Sequence, residues 1–142
     1  MGKKYVLRQK GRRMKNLIYF LLVMYGAIGS SKQGEKRLKL SQDLLPHTIM
    51  FNVLSLLYYF IHKLNIGIVF ENIIVSIIIY VIIPGALIEY ISSRHLKNKY
   101  NDYTYFDNIS KMCPRFLLIC FAIIIYIGSP MIFIFSCKYL PR

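Results

Sequence analysis

Apolar and polar positions fall into long separate blocks along this chain of 142 residues. The clearest apolar block runs from Asn72 to Ile91, and its first charged residue is Glu89. At a rise of about 1.5 Å per residue, a helix of this length matches a bilayer's hydrocarbon core of about 30 Å. An α-helix also satisfies its own backbone hydrogen bonds where no water is available. The block therefore predicts a membrane-spanning helix.

Three more blocks of this kind predict a polytopic membrane protein. The four predicted spans cover residues 16–31, 44–62, 68–91 and 116–137. A basic tail, residues 1–15, precedes them; we expect residues 32–43 and 92–115 to be loops and residues 62–67 to be a tight turn. The expected fold is all-α, a small bundle of four transmembrane helices that forms a single membrane domain over residues 1–142.

The composition fits this prediction and limits the partners. Hydrophobic residues make up 56% of the chain, above the roughly 45–50% of soluble domains, and yet the net charge is +13. Such a positive charge also occurs in nucleic-acid-binding proteins. Here, however, Lys and Arg alternate with apolar blocks, which is typical of segments that flank membrane spans and contact anionic headgroups. We therefore expect the lipid bilayer, and not nucleic acid, as a partner.

The distribution of charge also bears on orientation. The tail holds seven Lys or Arg residues and no acid, which favours a cytoplasmic N-terminus. Four spans would leave ten basic residues inside and nine outside. In a three-span alternative, residues 44–61 lie in the interface, and the balance becomes twelve to seven. The charge rule favours three spans, whereas hydrophobicity and the tight turn favour four, which is our prediction.

Polar positions recur at helical spacing inside the apolar blocks. The stripes are Asn52, Ser55, Tyr59 and His62 in the second block, and Asn72, Ser76, Tyr80 and Pro84 in the third. Polar groups in a membrane helix face protein and not lipid, so we expect these two stripes to meet. The last block carries a further face that we expect to point into the bundle, formed by Ala122, Tyr126, Ser129 and Phe133.

Prolines and small residues mark special positions. Pro84-Gly85 should kink the third helix, because proline removes a backbone hydrogen bond. Pro46 suits the first turn of the second helix. Gly26 and Ser30 form a small-xxx-small pair that allows another helix to approach closely.

Chemically distinctive side chains lie near the helix ends. Glu89 is an ionisable group within reach of the bilayer and hence a functional candidate; the alternative is that it pairs with Arg94, His95 or Lys97. The loop after it interleaves basic residues with aromatic ones, which suits either a headgroup belt or a partner-binding surface. The aromatic residues are Tyr100, Tyr103, Tyr105 and Phe106.

Catalytic or metal chemistry is not indicated. Glu71, Glu89, His47 and His62 are scattered to helix ends without a paired motif, so we expect no enzyme activity. No Cys/His spacing resembles a metal site, and we expect no metal and no cofactor. Cys113, Cys120 and Cys137 form no disulfide framework.

The third block and the segment after it contain Asn72-Ile-Ile-Val-Ser, Pro84, Ile88-Glu89-Tyr90-Ile91 and the basic aromatic loop. In this order, the motifs resemble those of the small inner-membrane immunity proteins of channel-forming colicins. The last span, with Pro130 before Met131-Ile132-Phe133, is also similar, as is Lys15-Asn16-Leu17-Ile18 at the first. The resemblance covers residues 14–31 and 70–142, and residues 44–66 look like an insertion relative to three-span members, although related proteins have four.

The resemblance implies a bacteriocin immunity protein of the bacterial inner membrane, which binds the pore-forming domain of a cognate toxin and prevents channel opening. Glu89 matches the family's Ile-Glu pair. The expected partner contacts are Glu89, Tyr90, Asn72, Ser76, Tyr80, Tyr100, Tyr103, Tyr105 and Phe106. Two alternatives share the features of size, charge and helicity: a holin-like or pore-forming protein, and an exclusion protein or accessory subunit of a larger membrane complex.

Overall fold

The structure is a computed structural model that describes residues 2–30 and 32–139, with side chains from residue 9 onward. Ser31, the last residue of the first predicted span, lies outside the described residues. The helices are α1 (Gly2–Gly26), α2 (Gly34–Leu64), α3 (Ile73–Ile77), α4 (Ile83–Lys99), α5 (Tyr103–Ser110) and α6 (Arg115–Ser136). A π-helical turn, Ile78–Ile82, joins α3 to α4, and a 3₁₀ turn, Cys137–Tyr139, follows α6. The described part of the chain contains no strand, so the all-α prediction is confirmed.

Three helical segments are long and apolar enough to cross a membrane. They are Gly34–Leu64, the continuous run Ile73–Lys99 and Arg115–Tyr139. Helix α1 is not among them, because seven basic residues occupy its first half. The membrane character predicted from the sequence is thus confirmed, but the structure supports three such helices and not a bundle of four. The three-span alternative that left out residues 44–61 is also not the one found, since that block belongs to α2.

Helix α2 begins earlier than predicted. Residues 34–43, expected to be a loop, form its first turns, and the predicted 44–62 span is only its later part. Glu35 lies in the first turn, where the helix dipole favours an acid, and its carboxylate contacts Lys39 at 3.1 Å. Pro46 was predicted to lie in the first turn of this helix. It lies inside the helix instead.

The turn predicted at residues 62–67 is present, but the next helix starts later than residue 68. Asn65 adopts left-handed backbone angles (φ 51°) and its N–H donates to the His62 carbonyl, which ends α2 with a common C-cap. The following helix begins only at Ile73, where the Asn72 side chain accepts a hydrogen bond from the Ile74 N–H at 2.9 Å.

The irregularity expected near Pro84 takes the form of the π-helical turn that directly precedes it. Such turns are a recognised cause of helix bending. Gly85 then lets α4 approach α2 closely, because a Cβ atom at this position would lie 3.2 Å from the Met50 sulfur.

Helix α2 packs against both other membrane-length helices. It runs antiparallel to α4, as the contacts Tyr58–Tyr80, His47–Glu89 and Asp43–Lys97 indicate. It runs parallel to α6, as the contacts Asn52–Ser129, Phe51–Phe133 and Tyr59–Tyr139 indicate. The polar stripe of α2 therefore meets α6, and the prediction that it meets the stripe of the third block is wrong. The inward face predicted for α6 is confirmed in part: Ala122 and Ser129 are buried and Phe133 is partly buried, whereas Tyr126 is 39% exposed.

The hydrophobic core lies at one end of the molecule. This end consists of α1, α5, the first half of α2, the end of α4 and the start of α6, and we call it the basic end. Its buried side chains are Tyr19, Leu22, Val23, Met24, Tyr25, Ala27, Leu38, Leu45, Leu96, Tyr100, Phe106, Leu118 and Ala122. The apolar part of α1, predicted to be the first span, is thus covered by protein. Away from the basic end, large apolar side chains of the three long helices are exposed.

Candidate functional site

The basic end collects most of the positive charge. Residues 1–43 and 92–115 carry sixteen of the nineteen Lys and Arg residues of the chain. The remaining three are Lys63, Lys138 and Arg142, the last of which lies outside the described residues. Lys63 and Lys138 flank the opposite end, where the rings of Tyr59 and Tyr139 meet with centroids 6.0 Å apart. The molecule is therefore strongly polarised along its long helices.

Two polar contacts join α2 to α4 at the basic end. Lys97 donates to the Asp43 carboxylate at 2.9 Å, and the His47 Nδ1 lies 3.4 Å from a Glu89 carboxylate oxygen. The sequence offered Arg94, His95 or Lys97 as pairing partners of Glu89. In the structure the basic neighbour of Glu89 is His47 instead. Both side chains are about two-fifths exposed (43% and 40%), so the contact contributes at most about 1 kcal/mol.

Tyrosines attach α1 to α5. The Tyr19 ring meets the Tyr100 and Tyr105 rings edge-on, with centroids 5.6 and 4.7 Å apart. The Asp102 N–H donates to the Tyr19 hydroxyl at 3.2 Å, and the Tyr105 hydroxyl donates to the Asn16 side-chain oxygen. Burial raises the pKa of the Tyr19 phenol above its ordinary value.

Two of the aromatic residues predicted as partner contacts belong to the core. Tyr100 is 5% exposed and its backbone carbonyl accepts a hydrogen bond from the Gln42 side chain at 2.8 Å. Phe106 is 1% exposed, and its ring lies so close to α1 that a Cβ atom on Gly26 would be only 2.7 Å from its Cζ atom. Gly26 thus permits a close approach, as predicted, and the helix that approaches is α5.

Other predicted contact residues remain on the surface of the basic end. Tyr90 and Tyr103 are 62% and 57% exposed. The Tyr90 hydroxyl accepts a hydrogen bond from Arg94 at 3.5 Å, the long limit for such a bond. Residues 92–115, predicted to be a loop, instead contain the end of α4 and the whole of α5. Tyr103 is therefore presented from the first turn of a helix.

The remaining three predicted contacts lie at the far end of the Ile73–Lys99 run. Asn72 caps α3, and Ser76 is half-buried one turn further on. The Tyr80 hydroxyl accepts from the Ile68 N–H and donates to the Ile68 carbonyl, both at 2.8 Å. Tyr80 therefore satisfies backbone groups of a non-helical apolar segment, which is a structural task in a membrane. The nine residues thus form two separate groups and not one site.

The sequence interpretation missed several polar side chains that join the helices. Tyr25 and Thr48 hydroxyls bond at 2.6 Å, and the Asn52 side chain donates to the Ser129 hydroxyl at 2.9 Å. Arg115 donates to the Gly29 carbonyl at 2.5 Å, which helps to satisfy the backbone after α1. A signal for the second pair was present, because Asn52 and Ser129 both lie on stripes noted above; only the pairing of the stripes was wrong.

The Ile73–Lys99 run has the most open apolar surface of the three membrane-length helices. Only 6% of its membrane-length apolar stretch is buried within the protein. The corresponding share is 33% for α2 and 17% for the α6 segment. It packs on α2 through Gly85 and Tyr80, whereas its isoleucines are exposed. These isoleucines are Ile73, Ile74, Ile77, Ile78, Ile79, Ile82, Ile83 and Ile91.

Within the described residues, no group of three or more His, Cys, Asp or Glu side chains is arranged to hold a metal ion. The three cysteines are free. Comparison with protein families, with characterised proteins and with solved structures finds no match to this chain. Any assignment of function therefore depends on the geometry described above and on the motifs of the sequence.

Proposed function

We propose that this chain is a bacteriocin immunity protein of the bacterial inner membrane, which binds the pore-forming domain of a colicin-type toxin and prevents channel opening. The observation that carries the proposal is the exposure of the Ile73–Lys99 run. Only 6% of its membrane-length apolar stretch is buried within the protein. Two motifs that resemble colicin immunity proteins belong to this same run: Asn72 to Ser76 starts at its N-cap, and Ile88 to Ile91 lies within it. An inserting toxin helix would thus find an open partner helix in the bilayer.

Binding of this kind requires helix–helix recognition in lipid. Van der Waals packing against the exposed isoleucines would supply contact area, and a few polar groups would supply specificity. Ser76, Glu89 and Tyr90 are three polar residues of the run that are at least partly accessible, and we place them on the proposed contact surface. Tyr103 adds an exposed aromatic side chain beside the basic end. We exclude Tyr100 and Phe106 from the proposed contact surface because both are buried.

We also propose a topology of three crossings, by α2, the Ile73–Lys99 run and α6, with the basic end in the cytoplasm. The charge distribution supports it: sixteen Lys and Arg residues would lie inside and three outside. The four-span arrangement gives ten and nine, which is almost no bias. The N-terminus stays in the cytoplasm, as predicted, whereas Tyr139 lies on the opposite side.

Expression in a toxin-sensitive bacterial strain tests the function. We expect cells that produce the chain to survive one channel-forming toxin of a broad panel and to keep their membrane potential. Protection against no toxin would contradict the proposal. Depolarisation of the host without protection would favour the holin-like or pore-forming alternative.

A matched pair of variants tests the role of Glu89. We expect Glu89→Gln to weaken protection, because it removes the negative charge of a partly exposed side chain on the run itself. Glu35→Gln is the control: its carboxylate is also at the basic end, is 67% exposed and contacts only a lysine of its own helix, Lys39. Equal protection by both variants at equal protein levels would show that Glu89 does not contact the toxin.

A further inference from the structure

The first half of α1 extends from the basic end as an exposed helix. Every residue from 9 to 17 is exposed. No acidic residue precedes Glu35 in the chain, and among the described residues no ion pair involves Lys10, Arg12 or Arg13. This half of the helix thus presents cations that the protein itself leaves without counter-charge.

The two faces of this half-helix differ. Lys15, Asn16 and Tyr19 lie on the side toward α5, where Lys15 approaches the Tyr105 ring at 4.8 Å. Helical spacing places Lys10, Met14 and Leu17 on the opposite side. Met14 and Leu17 are 56% and 59% exposed although both are apolar. Apolar side chains with flanking cations on one open face are typical of a helix that lies in a membrane interface.

The position of the spans indicates the surface that this face can reach. Tyr19 packs against Tyr105 of α5, and Tyr25 bonds to Thr48 of α2, so α1 is held at the basic end of the three long helices. That end lies at headgroup level if these helices cross the bilayer. The exposed cations around residue 12 could not enter the hydrocarbon core without a penalty of several kcal/mol, about 2.5–3.5 for each at the centre. They therefore remain at the surface.

We propose that the face of α1 formed by Lys10, Arg13, Met14 and Leu17 binds the anionic phospholipid surface of the membrane that the chain spans. Anionic headgroups match the unpaired cations, and Met14 and Leu17 insert at the boundary of the acyl chains. Nucleic acid would match the charge but offers no apolar layer for these two side chains. The inference does not depend on the toxin-binding proposal, because it concerns the resting protein in its membrane.

The test places a nitroxide label at residue 14 of the full chain, with the three native cysteines replaced by serine. The protein is reconstituted in nanodiscs of phosphatidylcholine alone or of phosphatidylcholine with phosphatidylglycerol. We expect the label to sit at headgroup depth in the anionic discs and to be accessible to a water-soluble relaxation agent in the neutral ones. High salt should release it, because it shortens the screening length from about 8 Å to about 3 Å.

Charge variants supply the control. Lys10→Gln with Arg13→Gln should lower the equilibrium between membrane-contacting and free label by about 25-fold, at about fivefold per cation. Lys63→Gln with Lys138→Gln removes the same charge from the opposite end and should leave the label unchanged. A label that is in water in both lipids, one that lies deep in the hydrocarbon core, or one that single-stranded RNA displaces from anionic discs would overturn the proposal.

Discussion

The contact between Gly26 and Phe106 allows a sharp test of how α1 is held. A Cβ atom at residue 26 would lie 2.7 Å from the Phe106 Cζ atom and 3.0 Å from the Arg37 carbonyl oxygen. Phe106 is 1% exposed, so its ring cannot move without disturbing the core, and the Arg37 oxygen belongs to the backbone. Overpacking of this kind costs about 1–3 kcal/mol. Gly26→Ala should therefore lower the free energy of unfolding by about that amount.

The same substitution elsewhere in α1 supplies the control. Nothing lies within 4 Å of a Cβ atom at Gly11, which is exposed in the helix interior. Gly11→Ala should stabilise the helix by up to about 1 kcal/mol, because alanine has the higher helix propensity. The two variants should thus differ by about 1–4 kcal/mol, the sum of the overpacking and propensity effects.

Thermal unfolding in detergent measures the difference, with reaction of the native Cys113 thiol as the readout. Cys113 packs against the core of the basic end, so its exposure reports on that region. Cys120 and Cys137 are replaced by serine for this purpose. In a double-mutant cycle, Phe106→Leu should relieve part of the Gly26→Ala effect, since it removes the closer of the two contacts. Equal stability of the Gly26→Ala and Gly11→Ala proteins would refute this account of α1.

Three further predictions concern polar contacts. Tyr80→Phe removes the bonds to the Ile68 N–H and carbonyl, which are exposed, and should lower the free energy of unfolding by about 1 kcal/mol, measured by the same thiol assay. No change would mean that water or lipid headgroups replace the hydroxyl at Ile68. Asn52→Ala removes the hydrogen bond to Ser129 and should lower the free energy of unfolding by only about 0.6 kcal/mol, because the Ser129 hydroxyl still donates to the Ile125 carbonyl of its own helix. A loss of several kcal/mol would contradict this expectation. Glu89→Gln should change the free energy of unfolding by less than about 1 kcal/mol, so that a loss of protection cannot be attributed to unfolding. A larger change would mean that lost protection no longer reports a lost contact with the toxin.

Some elements could be predicted from the sequence because their pattern is uninterrupted. Helix α6 was predicted as 116–137 and observed as Arg115–Ser136, since no charged residue breaks its apolar run. Its inward face was correct for Ala122 and Ser129 but not for Tyr126, which is exposed. Helical spacing fixes which residues share a face, but it does not say which neighbour that face meets. The polar stripe of α2 was for this reason assigned to the wrong helix.

The loops were wrong for a different reason. Charged residues at 32–43 were taken as a sign of a loop, but Lys36 and Lys39 lie on the exposed side of α2 while Leu38 and Ser41 are buried on the other. Charge alone does not separate a loop from an amphipathic helix at the membrane surface. The same error hid α5 within residues 92–115.

The number of spans depended on a distinction that hydrophobicity does not carry. The apolar part of α1, including Leu22 and Val23, has the same composition whether lipid or protein covers it. Only its contacts with α2, α5 and α6 show that it belongs to the core of the basic end. Aromatic candidates met the same problem: Tyr103 is exposed and Phe106 is buried, although the sequence placed both in one aromatic group.

Single cysteines at Met14, Lys36, Ile66 and Tyr103, each in a chain whose native cysteines are serine, test the central claim most directly. Labelling of intact cells with a membrane-impermeant thiol reagent reports the side of each position. Three crossings with the basic end in the cytoplasm predict that residue 66 alone reacts from outside, and that residues 14, 36 and 103 react only after lysis. Reaction of residues 36 and 103 from outside, with 14 and 66 protected, would mean that α1 crosses the membrane and that the account is wrong.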